Sequence, residues 1–202
     1  MSRNRLPMIT LWKSLVVPIH DYCSQLWSPL KTGDIQKLDL LQWYFIKKVN
    51  NMYSFDYWEC LSELNLLSLQ RRRERYQIIY LWKIIENIVP SPTVYIHGIS
   101  QKCIGIRISP RNGRSCIPPV IKRQCSVKFQ NTRLSSFCIH ACKLFNVLPK
   151  HIRDLNNCST DTFKLNLDRF LQTVPDTPHL PGLGKFCQAE TNSLIHMVPL
   201  HT

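Results

Sequence analysis

Acidic residues are missing from the middle of this chain: between Asn87 and Arg153 there is not one Asp or Glu. Glycine is sparse as well, six in 202 residues, which excludes collagen-like and Gly-rich linker character. No uninterrupted apolar run of about 18 residues occurs, so no transmembrane helix is expected. The Asp-Asp dipeptide, the Gly-x-x-x-x-Gly-Lys-[Ser/Thr] loop, His-Glu-x-x-His and Gly-x-Ser-x-Gly are all absent. Those absences remove the usual sequence signals of two-metal nucleotidyl transfer, phosphate-loop NTPases, zinc hydrolases and serine hydrolases. The closest acid groupings are Asp34/Asp39, Asp56/Glu59/Glu63 and Asp154/Asp161. The middle set reads as a solvated helix face rather than a metal site.

What is present is apolar and basic. Hydrophobic residues make up 44% of the chain, enough for a core. Lys and Arg number 26 against 13 Asp and Glu, a formal net charge of +13. The excess is local: residues 101–150 hold ten basic residues and no acid, whereas residues 51–100 hold five of each. A solvated surface mixes signs. A long run of one sign fits a polyanion, because each cation that neutralises a phosphate releases a counterion. A membrane surface fits less well, since the run lacks an amphipathic helical face with aromatic anchors.

Nine cysteines, an odd number, suit a closed disulfide framework poorly. Arg3 and Arg5 precede an apolar stretch, but Lys13 interrupts it and no small-residue cleavage site follows, so no secretory leader is expected. An intracellular home, nucleus or cytoplasm, with thiols acting as small buried hydrophobes, is the expectation. Cys138-x-His140-x-Cys142 lies on an expected helix, where Cys138 and Cys142 share a face and His140 points elsewhere. Without a second close ligand pair the spacing does not suit structural zinc. No metal, cofactor or small-molecule substrate is expected.

The spacing of apolar residues predicts a mainly α chain. A first helix covers Met8 to Trp27, kinked or split at Pro18. A second runs from Asp34, as its cap, to Val49, and a third from Tyr57 to Leu64. A fourth starts at the cap Ser68 and runs to about Asn87, basic in its first half and apolar in its second. Short extended pieces are expected at Gly105–Ile108 and Pro119–Ile121. Helices follow over Thr132 to Phe145 and Thr160 to Thr173, the latter capped by Ser159. Beyond Val174 the prolines predict a loose tail. Arg71, Arg72, Arg73 and Arg75 occupy little more than one turn. Guanidiniums that close need an anion nearby, either phosphate or acids such as Glu59 and Glu63.

Several phrases, in order, carry a resemblance. They are Leu11-Trp12-Lys13-Ser14-Leu15-Val16-Val17-Pro18-Ile19-His20-Asp21-Tyr22-Cys23-Ser24-Gln25-Leu26-Trp27-Ser28-Pro29, then Tyr57-Trp58-Glu59-Cys60-Leu61, then Leu69-Gln70-Arg71-Arg72-Arg73-Glu74-Arg75-Tyr76 with Tyr80-Leu81-Trp82-Lys83-Ile84. Ser136-Phe137, Leu144-Phe145-Asn146-Val147-Leu148-Pro149 and Thr162-Phe163-Lys164-Leu165-Asn166-Leu167-Asp168-Arg169-Phe170-Leu171 follow. Together they resemble the region after the polymerase palm in non-LTR (LINE-type, Jockey/CR1-like) retrotransposon reverse transcriptases, over about residues 8–198. In that family the catalytic aspartates lie in the palm and the nuclease lies further upstream. The resemblance therefore implies a C-terminal remnant without catalytic residues, not an enzyme by itself.

The resemblance implies a helical, thumb-like region over 1–89, a basic loop and short-strand insert over 90–131, a helical pair over 132–174 and a flexible tail over 175–202. The expected ligand is RNA or an RNA/DNA hybrid, gripped by its backbone without sequence choice. The candidate contacts are Arg71, Arg72, Arg73, Arg75, Lys102, Arg107, Arg111, Arg114, Lys122, Arg123, Lys128 and Arg133, with Trp or Tyr stacking on unpaired bases. A further expected partner is the palm of an intact element protein. The alternative is a degenerate reading frame or helical interaction module, with Trp12, Trp27 and Trp43 exposed.

Overall fold

A computed structural model describes residues 5–29, 31–49, 54–89, 93–96, 99–102, 107–109, 114–118, 137–177 and 192–198. The protein is mainly α, as the apolar spacing predicts. It divides into two units: residues 1–74 with 172–198, and residues 75–171 with 199–202. No helix among the described residues is long and apolar enough to cross a membrane.

In the first unit, α1 (Arg5–Leu11) passes into a π-helical turn (Trp12–Val16) and then α2 (Val17–Asp21). Pro18 sits in the first turn of α2, where a missing N–H is least costly. The wide π turn ahead of it accommodates the ring without a break. The split comes instead at Cys23, which adopts a left-handed φ of 51° before α3 (Ser24–Trp27). The second helix, α4 (Thr32–Lys48), begins two residues before the expected start. Asp34 is thus not its cap; it lies in the first turn, near the positive helix end and Lys37. Asp56 and Glu59 form a capping box on α5 (Tyr57–Glu63), where Glu59 accepts from the Asp56 N–H at 2.9 Å. Glu63 pairs with Arg5 at 2.8 Å. The acid triplet therefore serves helix ends and a surface ion pair.

The core of this unit gathers Trp43, Ile46, Val49, Cys60, Leu61 and Leu64. A neighbouring cluster joins Trp12, Val17 and Leu69, with Trp12 stacked on Phe45 at 4.4 Å. Trp12 and Trp43 are thus buried, contrary to the interaction-module expectation, and of that trio only Trp27 is open. Leu11, Leu15, Ile19 and Tyr22 leave an apolar line exposed along α1 and α2.

The long helix α6 (Leu69–Ile85) contributes its first residues to this unit and the remainder to the second. Ser68 caps it, its hydroxyl accepting from the Arg71 N–H at 3.1 Å. Asn87 closes it in the left-handed conformation, with the Ile88 N–H returning to the Lys83 carbonyl at 2.9 Å.

The expected loose tail is partly a packed element. Asp176, Asn192, Ser193 and Leu194 are buried in the first unit, and Ser193 caps a short helix, α10 (Leu194–Met197), numbered last in the chain. The proline content misleads because it reports on local backbone, whereas these residues are held by distant side chains.

In the second unit two antiparallel ribbons precede the helices. One pairs β1 (Thr93–Ile96) with β2 (Ile99–Lys102), the other β3 (Arg107–Ser109) with β4 (Ser115–Ile117). The expected pieces at Gly105–Ile106 and Pro119–Ile121 lie outside the described residues. Then come α7 (Phe137–Val147), α8 (Lys150–Arg153) and α9 (Thr160–Thr173), the last with the predicted bounds. Ser159 caps α9 through the Thr162 N–H at 3.1 Å. Trp82, Phe145, Leu148, Ile152, Phe163 and Leu167 are buried in this unit.

Candidate nucleic-acid interface

Residues 71, 72 and 73 follow one another at about 100° steps around a helix, so their side chains leave α6 in three directions. Arg71 and Arg72 pair with different carboxylates, whereas Arg73 is buried with no ion pair of its own among the described residues. Arg71 is fully buried. Its Nη2 donates to the carbonyls of Pro175 at 3.0 Å and Asn192 at 3.3 Å, and its Nε lies 3.9 Å from the Asp176 carboxylate. Asp176 in turn accepts from the Ser68 N–H at 2.7 Å, and Asn192 donates to the Ser68 hydroxyl at 3.3 Å. This network fastens the returning segment to the start of α6.

Arg72 forks onto Asp21, with Nε 2.9 Å from Oδ1 and Nη2 2.7 Å from Oδ2. Arg73 is 2% exposed and lies within the fields of Asp39, Glu74 and Asp21, with burial pulling its pKa down. Arg75, in the second unit, forks onto Asp168 at 2.5 and 2.7 Å. Neither expected acid partner, Glu59 or Glu63, is used here.

These positions correct the expectation that the cluster grips phosphate. A guanidinium without solvent exposure, already serving a carboxylate and two carbonyls, cannot reach a polyanion unless the fold opens. That removes Arg71, and burial alone removes Arg73. Arg72 and Arg75 are partly exposed, but a phosphate would have to displace a bidentate carboxylate. Arg114 is also engaged: its N–H donates to Asp154 at 2.9 Å, and its guanidinium donates to the Leu155 carbonyl at 3.0 Å and to Glu86. Lys102 ends β2 and Arg107 opens β3 opposite Ile117. Arg111, Lys122, Arg123, Lys128 and Arg133 lie outside the described residues.

The buried acids around the cluster are electrostatically unusual. Burial pushes the Asp39 carboxyl up to about 7, although Arg73 opposes the shift and Gln70 donates its N–H to Asp39 at 3.3 Å. Burial also raises Glu74, whose carboxylate accepts from the Leu194 N–H at 3.0 Å. A carboxyl raised on folding keeps its proton after the unfolded chain has lost it. Its stabilising contribution is complete below the unfolded value and declines as pH rises through the window up to the folded value. For Asp39 that window runs from about pH 4 to about pH 7, at no more than ~1.4 kcal/mol per pH unit.

Asp39→Asn is therefore expected to flatten this decline, leaving the contribution of Glu74, which runs in the same direction. Urea midpoints of wild type and variant across this range measure it. His20 and His140, both lowered by burial, act in the opposite direction below about pH 6.5. They are present in both proteins and cancel in the difference. Parallel pH profiles for the two proteins would contradict the assignment.

The Cys/His group is also occupied within the chain. His140 Nδ1 hydrogen-bonds Gln77 Oε1 at 2.8 Å, and Cys142 is fully buried beside Cys116. Among the described residues no three His, Cys, Asp or Glu side chains converge as a metal-ion site. Compared with family profiles, curated proteins and solved structures, the chain matches none.

Proposed function

We propose that this chain is a non-catalytic segment of a non-LTR retrotransposon reverse transcriptase, from the region after the palm. In this reading it works inside the cell and holds an RNA or RNA/DNA backbone without sequence choice. The observation that carries the proposal is the acid-free run from Asn87 to Arg153 with its ten basic residues between 101 and 150. The burial of Arg71 and Arg73 and the ion pairs of Arg72, Arg75 and Arg114 narrow the phosphate-binding side chains to Lys102, Arg107, Arg111, Lys122, Arg123, Lys128 and Arg133. Two short ribbons flank part of this run and give extended backbone from which long cationic side chains can follow a strand.

Fluorescence anisotropy with single-stranded RNA and an RNA/DNA hybrid across salt tests the proposal. Binding is expected to weaken log–log linearly with salt. Replacing Lys122, Arg123, Lys128 and Arg133 together by Gln is expected to reduce that slope by about 0.7–0.9 for each phosphate no longer neutralised, on both ligands. A slope near zero, or a quadruple variant that binds like wild type, overturns it.

A second reading rests on the exposed line of Leu11, Leu15, Ile19 and Tyr22, which suits a helical protein-interaction module. It is favoured if oligonucleotide binding is absent and the chain self-associates until Leu15 and Ile19 are made polar.

A further inference from the structure

We propose that Cys116 and Cys142 form a redox-active dithiol, which a hydroperoxide closes to a disulfide joining β4 to α7. The inference is independent of nucleic-acid binding and lies wholly within the second unit.

The geometry starts from Asn146 on α7. Its side-chain oxygen accepts the Cys116 N–H at 2.7 Å, and its side-chain nitrogen donates to the Cys116 carbonyl at 2.8 Å. This two-point clamp fixes the backbone of Cys116 against the helix. Cys142 lies four residues before Asn146, so it occupies the same helix face one turn earlier. The two thiols act on each other electrostatically as neighbours, and both are free and buried.

The two sulfurs are not equivalent. The neighbouring Cys142 thiol and the positive charge of Arg114 and Arg153 lower the Cys116 pKa, while the Cys116 thiol and burial raise that of Cys142. Arg114 lies two residues before Cys116 and Arg153 donates to the adjacent Ser115 at 2.7 Å, so the cationic side of the pair is Cys116, the nucleophile, and Cys142 is the resolving thiol. Access comes through the ribbon: β4 pairs with β3 over three residues, and so small a two-stranded sheet is marginal by itself. Its opening admits a peroxide to Cys116.

In the first step the Cys116 thiolate attacks one peroxide oxygen. The O–O bond breaks, a sulfenic acid forms, and the second oxygen leaves as water after taking a proton. The Cys142 sulfur then attacks the Cys116 sulfur. The S–O bond breaks, and the hydroxyl leaves as water with the Cys142 proton. Two thiols lose two electrons in all, and one hydrogen peroxide becomes two waters.

The test uses the reduced full-length chain treated with one equivalent of hydrogen peroxide. It is then unfolded, alkylated and digested without reductant for mass spectrometry. The expected first product is a Cys116–Cys142 crosslinked peptide, reversible by dithiothreitol and accompanied by a higher thermal midpoint. In Cys142→Ser the midpoint rise is expected to disappear and a Cys116 sulfenic acid to be trapped by dimedone. If that variant does not fold, the wild-type peptide map decides alone. A first crosslink through Cys138 or any other cysteine overturns the proposal. So does full alkylation of Cys116 and Cys142 at excess peroxide.

Discussion

Replacing Arg71 with methionine is expected to cost about 3–5 kcal/mol of stability, a large share of the 5–15 kcal/mol typical of a domain. Methionine keeps an apolar stem of comparable reach and removes only the charged fork. The loss falls on three groups at once. Asp176, 1% exposed, keeps its neutral donors but loses its cation, and the carbonyls of Pro175 and Asn192 lose their donor. A buried carboxylate left without its partner is penalised more heavily than a missing pair. The double variant Arg71→Met/Asp176→Asn is therefore expected to recover part of the loss. Asparagine leaves no charge behind and retains an oxygen for the Ser68 N–H. Urea unfolding of the four proteins in the cycle measures the coupling. A single-variant loss below about 1 kcal/mol would refute a structural role for this arginine.

That result would also separate fold from ligand at a position where the sequence suggested ligand. Four arginines within five residues look like a phosphate grip when read as composition. Read as a helix, they do not converge, because positions 71, 72 and 73 diverge by about 100° each. Arg75 comes round between the directions of 71 and 72, and 73 points away from it. The divergence was legible in advance and points to several partners rather than one strand. The partners themselves were not legible. Asp21, Asp168 and Asp176 lie 51, 93 and 105 positions away from Arg72, Arg75 and Arg71, and no local periodicity encodes such pairings.

The helices were readable for the opposite reason. Phe163, Leu167 and Leu171 repeat at four-residue spacing behind the Ser159 cap, so α9 is specified by its own residues. At the N-terminus, Pro18 is the strongest local breaker, yet the backbone turns at Cys23, a residue with no such signature. The tail follows the same logic: its prolines suggested a loose segment, while the burial of Asp176 and Asn192 depends on Arg71 and Ser68. Cys116 is likewise held against α7 by Asn146, a clamp that cysteine spacing does not reveal.

Trp82→Ala is the corresponding expected loss in the second unit, about 3–5 kcal/mol. The indole is fully buried, stacks on Phe163 with centroids 4.4 Å apart and planes 9° apart, and donates its Nε1–H to the Leu155 carbonyl at 3.0 Å. Alanine removes the ring, leaves a cavity against Phe163 and strips Leu155 of its donor. Trp82→Phe distinguishes these contributions. It restores an aromatic face for Phe163 but supplies no N–H, so its loss is expected to be nearer 1–2 kcal/mol from the hydrogen bond and the smaller ring. Urea unfolding followed by far-UV circular dichroism ranks the two. If the Phe variant is as damaged as the Ala variant, the Leu155 hydrogen bond holds the connection between α8 and α9. If it matches wild type, packing on Phe163 carries nearly the whole effect. An alanine variant that loses less than about 1 kcal/mol would mean that Trp82 does not sit in a close-packed interior.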